Sequence, residues 1–209
     1  MNTTRNIILF DFDGVVADSF GLAYSVNRSI FPDLEEGEYR QAFEGNINDW
    51  AKEKMQGRHR TDVDFASTYA ERADAEISLV SGMKEVLADL SRRYTLIVVS
   101  SSTSTFINIF NEKHGLVAFF TEILGNDVHK SKIEKISMVK AKYHASPDRY
   151  VFVTDTLGDV READHHGIGV IGVSWGFNDH ATLHKDGALT IVDAPAELPK
   201  AIDDHFAHT

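Results

Sequence analysis

A three-layer α/β fold built on a parallel sheet, with an all-helical insert, is predicted by three observations. Short Ile- and Val-rich runs recur along the chain without polar alternation, as in strands covered on both faces. Helical patterns separate those runs, which is the signature of a parallel sheet with crossover helices. The stretch from about residue 18 to about residue 78 carries helix-like segments and no convincing strand.

Taken in order, the first run is Ile7 to Phe10. The helix-like segments of the insert follow: Leu22 to Phe31, Glu36 to Phe43, Ile47 to Met55 and Asp62 to Ile77. The β/α alternation resumes at Ser81-Gly82 with a helix whose Met83, Val86, Leu87 and Leu90 share one face. Leu96 to Val99 is the next strand, and Glu122 to Leu124 a weaker one. A helix then places Ile133, Ile136, Val139 and Tyr143 on its apolar side. Val151 to Val153 and Val170 to Val173 are strong strands, and Leu189 to Val192 is a weaker one. We therefore expect a core made of residues 1–16 and 80–209 and a helical cap over residues 17–79. Ala17-Asp18-Ser19 and Val80-Ser81-Gly82 are the expected hinges.

Composition narrows the function classes. With 209 residues the chain can bury a full core. A net charge of −11 argues against a nucleic-acid surface, which needs clustered Lys and Arg. A small anionic substrate stays compatible, because one lysine and a metal ion can dominate a local site. The absence of Cys excludes disulfides, thiolate metal sites and cysteine nucleophiles together. No run is long and apolar enough for a signal peptide or a membrane span, so a soluble cytoplasmic protein without membrane partners is expected. The ten His are scattered without metal-binding spacing.

In an open parallel sheet, ligands bind beyond the carboxyl ends of the strands. Asp11 and Asp13 follow the first run, with Gly14 letting the chain turn sharply. Ser100, Ser101 and Ser102 follow Val99, Asp155 and Asp159 follow Val153, and Lys130 and Lys132 precede a helix. Alone, each residue type has a structural role: Asp and Ser cap turns and helices, and Lys is solvated. Together they suit phosphoryl transfer, where phosphate oxygens need neutralising before a nucleophile approaches. Asp11 and Asp155 can supply hard oxygen ligands to Mg²⁺, and Asp159 can orient Asp155 from behind.

These residues resemble the motifs of the haloacid dehalogenase superfamily, in the branch of phosphoglycolate phosphatase and β-phosphoglucomutase. The first motif matches Asp11-Phe12-Asp13-Gly14-Val15-Val16, the second Ser100 after Ile97-Val98-Val99, and the third Lys130 or Lys132. The fourth matches Val151 through Asp159, and similarity runs on through Gly167 to Gly176. The resemblance covers residues 5–16 and about 80–200, and implies a Rossmann-like core with a helical cap of the kind inserted after the first motif. It further implies a Mg²⁺-dependent phosphatase acting on a small phosphorylated metabolite. Asp11 is then the nucleophile, forming an aspartyl phosphate, and Asp13 the acid/base. Asp11, the Asp13 carbonyl and Asp155 are the metal ligands. Ser100, Ser101 and the lysine hold the phosphate.

The acid at Asp13 makes dehalogenase and phosphonate-cleaving chemistry less fitting. Val15 departs from the Thr that many phosphatases carry. An ungapped run to Asp155 favours Lys130 over Lys132. Candidate substrate contacts in the insert are Asn46, Asn48, Trp50, Arg58, His59 and Arg60; the basic cluster among them also reads as a solvated loop. A phosphomutase, and a phospho-accepting signalling or binding domain, are the alternative functions. Trp175 is expected to pack under the last strands.

Overall fold

In the computed structural model, which describes residues 5–45, 47–186 and 190–208 (the side chains of 48, 49 and 186 aside), the chain winds into a six-stranded parallel sheet. The elements are β1 (Ile7–Phe10), β2 (Ala17–Asp18), α1 (Phe20–Ile30), α2 (Glu36–Gln41), α3 (Ile47–Lys54), α4 (Phe65–Glu76) and β3 (Ser78–Leu79). They continue with α5 (Met83–Arg93), β4 (Thr95–Val99), α6 (Ser104–His114), β5 (Glu122–Leu124), α7 (Lys132–Tyr143) and β6 (Tyr150–Thr154). The chain closes with α8 (Leu157–Asp164), β7 (Gly169–Val173), α9 (His180–Leu183), β8 (Thr190–Val192) and α10 (Leu198–Ala207).

The sheet order is β5-β4-β1-β6-β7-β8. β1 pairs in parallel with β4 on one side and β6 on the other, Phe10 standing beside both Val98 and Val153. The residues that follow these three strands therefore emerge side by side at the carboxyl edge, where the strand order reverses. Alternate side chains enter opposite layers, as the strand period of two requires. Ile8, Phe10, Leu96, Val98, Val151 and Val153 pack with Met83, Leu87, Leu90, Leu198 and Ile202 of α5 and α10. Ile7, Leu9, Ile97, Val99 and Phe152 pack with Ile136, Val139, Leu157 and Val160 of α7 and α8. Each of these fully buried aliphatic or aromatic side chains contributes roughly 1.5–3 kcal/mol on the usual area scale.

α1 to α4 form the expected helical block between β2 and β3. These two-residue strands, which the sequence reading did not contain, pair antiparallel as Ala17↔Leu79 and Asp18↔Ser78. They bring both ends of the block together, β2 at Ala17 and Asp18 and β3 just before Val80. Gly82, at φ +82°, turns the chain from this ribbon into α5, a left-handed conformation that Gly adopts without a Cβ penalty. Leu22, Val26 and Ile30 of α1, Ala73 of α4 and Ile77 just after it belong to the main core cluster. A smaller aromatic cluster joins Tyr39 and Phe43 to Phe177 beyond the sheet edge. Leu189, expected to begin the last strand, lies outside the described residues.

No helix among the described residues is long and apolar enough to cross a membrane.

Candidate active site

The loops after β1, β4 and β6 and the first turns of α7 and α8 converge on one buried cluster of charge. Asp11, Lys132, Asp155 and Asp159 are each no more than 6 % exposed, which for four ionisable groups demands mutual compensation. Lys132 Nζ lies 2.9 Å from Asp11 Oδ2 and 2.6 Å from Asp159 Oδ2. The other Asp11 oxygen, Oδ1, accepts the backbone N–H of Phe12 at 2.7 Å. Asp159 Oδ2 also accepts the Thr154 hydroxyl at 2.7 Å.

The lysine is where sequence and structure part. Lys130, favoured from its register, is exposed, and among the described residues no contact ties it to the carboxylates. Lys132 takes that place. The reason is the helix start: Ser131 is the N-cap of α7, its hydroxyl accepting the N–H of Glu134 at 3.4 Å, in a Ser-x-x-Glu arrangement. Lys132 thereby becomes the first helical residue and turns inward, while Lys130 stays in the preceding loop.

Burial pushes the Asp11 carboxyl well up, against the pull of Lys132. Burial likewise raises Asp155 to about 7, opposed by the N–H of Phe177. For Asp159, burial is outweighed by Lys132 and by hydrogen bonds, and its carboxyl is held low. Asp159 therefore carries the charge that pairs Lys132. Its side-chain hydrogen-bond partners include Lys132, Thr154 and Asp11, and it acts on Asp155 through charge.

Asp155 is set between two glycines. A Cβ on Gly14 or on Gly176 would lie 2.0 or 2.1 Å from Asp155 Oδ2. That close approach admits only Gly at both positions. Oδ2 accepts Phe177 N–H at 2.7 Å. Oδ1 is buried without any hydrogen-bond partner, an expensive condition for an acceptor unless something else binds there. A divalent cation with oxygen ligands fits that need. Among the described residues no three His, Asp or Glu side chains form a metal-holding group. The donor set at hand is thus two carboxylates, Asp11 and Asp155, plus backbone carbonyl oxygen.

Asp13 stands on the open side of the cluster. Its Oδ2 accepts the Ser102 hydroxyl at 2.6 Å, a contact absent from the sequence reading. Ser100 is fully buried and its hydroxyl accepts the N–H of Ser102 at 3.0 Å, whereas Ser101 is exposed. Below this turn Lys135, also unforeseen, is fully buried and donates to the Ser100 carbonyl; burial lowers its ammonium to about 8. Two phenols of the helical block, Tyr39 and Tyr69, are pushed up by burial and next by the charge of Asp13.

Of the insert candidates, Asn46 lies outside the described residues, as does the side chain of Asn48. Arg58 is occupied within the insert, 2.9 Å from Glu38 and 3.5 Å from Asp33. His59 and Arg60 are exposed. Trp175 packs against the main core and donates to the Val15 carbonyl at 3.3 Å.

Comparison with known proteins bears on the family and the fold. The family model of haloacid dehalogenase-like hydrolases matches residues 8–173. The chain is 25 % identical to a phosphoglycolate phosphatase of Synechococcus elongatus over 93 % of this chain and 96 % of the relative. It is 26 % identical to a phosphoglycolate phosphatase of Haemophilus influenzae over 95 % and 98 % of the two chains. A haloacid dehalogenase-like protein of Agrobacterium tumefaciens superposes with a TM-score of 0.80 at 21 % identity, covering 96 % of this chain and 98 % of the other; at that identity the likeness is one of fold.

Proposed function

Because the chain belongs to the haloacid dehalogenase-like hydrolase family, we propose that it is a Mg²⁺-dependent cytoplasmic phosphatase that hydrolyses a small phosphorylated metabolite. The observation that carries this reading is the buried Asp11–Lys132–Asp159 cluster beside an Asp155 oxygen that lacks any partner.

Asp11 attacks phosphorus, forming an Asp11–phosphorus bond as the bond to the leaving oxygen breaks. Asp13 delivers a proton to that oxygen, then takes one from the water that attacks the aspartyl phosphate. Inorganic phosphate leaves and the Asp11 carboxylate is restored. Ser102, donating to Asp13, holds this carboxyl in place between the two proton transfers. Lys132, the Ser100 hydroxyl and the N–H of Ser101 neutralise and orient the phosphate; the Ser100 N–H itself is spent on the Leu124 carbonyl in the sheet. Mg²⁺ supplies charge neutralisation of the phosphoryl oxygens, and Asp11, the Asp13 carbonyl and Asp155 are the groups to hold it. The relatives named phosphoglycolate phosphatase, matched over nearly their whole length, support a small phosphorylated substrate.

A panel of phosphorylated metabolites and p-nitrophenyl phosphate, assayed for phosphate release with Mg²⁺ and with EDTA, tests the reading. Metal-dependent release from at least one ester is expected. Absence of release from every ester, or release that ignores EDTA, contradicts it.

A further inference from the structure

The grip on Asp155 does not end at its own loop. The backbone N–H that fixes Oδ2 belongs to Phe177, and the carbonyl at the other end of the same peptide group is that of Gly176. Arg40, on α2 of the helical block, donates from Nη1 to that Gly176 carbonyl at 3.2 Å and to the Phe177 carbonyl at 2.7 Å. Asn178 returns the contact, donating to the Arg40 carbonyl at 3.1 Å. Its own N–H bonds the Asp155 carbonyl at 3.1 Å, and its Oδ1 caps Leu157 N–H at 2.9 Å. The guanidinium is itself fixed, 3.7 Å above the Phe20 ring and 3.0 Å from Glu36.

We infer that Arg40 is a positioning residue through which the helical block orients Asp155 for metal binding. A cation on the oxygen end of a peptide group strengthens its N–H as a donor, since successive hydrogen bonds polarise one another. Arg40 thus sharpens the Phe177 bond to Oδ2 and leaves Oδ1 directed at the metal position. The inference rests on the proposed Mg²⁺ site. It adds that docking of α2 and metal affinity are linked, and that linkage is reciprocal.

The test is calorimetric Mg²⁺ binding without substrate, on wild type, Arg40→Met, Arg40→Lys and Arg72→Met. Partners of this kind typically shift metal affinity about 10- to 100-fold. Arg40→Met is expected to weaken Mg²⁺ binding about 10-fold. Arg40→Lys, which keeps the charge but loses the planar guanidinium that bonds the two carbonyls from Nη1 and Glu36 from its other nitrogens, should fall between it and wild type. Arg72, paired with Glu76 on α4, serves as the control for insert stability and should leave the affinity unchanged. If Arg40→Met does not fold, Arg40→Lys against wild type decides. Unchanged Mg²⁺ affinity in a folded Arg40 variant, with only substrate KM altered, overturns the inference and leaves the phosphatase reading standing. A wild-type protein that binds no Mg²⁺ overturns both.

Discussion

Replacing Asp155 by Asn should make the metal-free protein less sensitive to pH, because the wild-type carboxyl is ionised at a cost. Its value in the folded chain is about 7 against an ordinary 3.8, with burial the largest cause. The sign follows from linkage. The folded state holds this proton more tightly than the unfolded chain, so stability is lost as pH rises from the unfolded value through the folded one. Integrating between pH 5 and pH 8 for those two values gives a loss of about 3 kcal/mol attributable to Asp155. For a chain of this size that corresponds to a Tm difference of about 6–12 °C. The assay is urea denaturation in EDTA at both pH values, for wild type and Asp155→Asn. Taking the difference of differences cancels the cost of the amide N–H₂ in the variant. Wild type should lose about 3 kcal/mol more than Asp155→Asn across this window. Added Mg²⁺ should return the loss in wild type and not in the variant. Parallel pH profiles for the two proteins would refute the reasoning.

Further outcomes follow from the same cluster. Lys132→Met should lower kcat/KM for p-nitrophenyl phosphate by about 100-fold or more, while Lys130→Met stays within about 3-fold of wild type; steady-state kinetics of both variants decide between them. Gly176→Ala forces a methyl to within 2.1 Å of Asp155 Oδ2, so denaturant melts should show a loss of about 2 kcal/mol or more, with weakened Mg²⁺ binding by calorimetry.

Sequence legibility followed physical scale. Four strands of the main sheet stand at the Ile- and Val-rich runs and two at the weaker candidates beginning with Glu122 and Leu189, with ends moved by a residue, as at Thr95 and Tyr150. β2 and β3 escaped because two residues carry no periodicity. Asp11, Asp13, Asp155 and Asp159 were legible because strand ends converge in an open sheet. The choice between Lys130 and Lys132 turned on one helix boundary. The decisive signal, Ser131 followed three residues later by Glu134, was present in the sequence. Lys135 was hidden by its type: a lysine beside Ile136 reads as solvated, yet it reaches inward to the Ser100 carbonyl. The Phe177 N–H to Asp155 and the Arg40 bond to the Phe177 carbonyl left no trace, since backbone groups have no residue signature and the Arg40 contact spans more than a hundred residues of chain.

The nucleophilic role proposed for Asp11 is tested by Asp11→Asn. With Mg²⁺ saturating and the fold verified by circular dichroism, p-nitrophenyl phosphate turnover should fall by at least about 1,000-fold. A folded Asp11→Asn protein that turns over near the wild-type rate contradicts it.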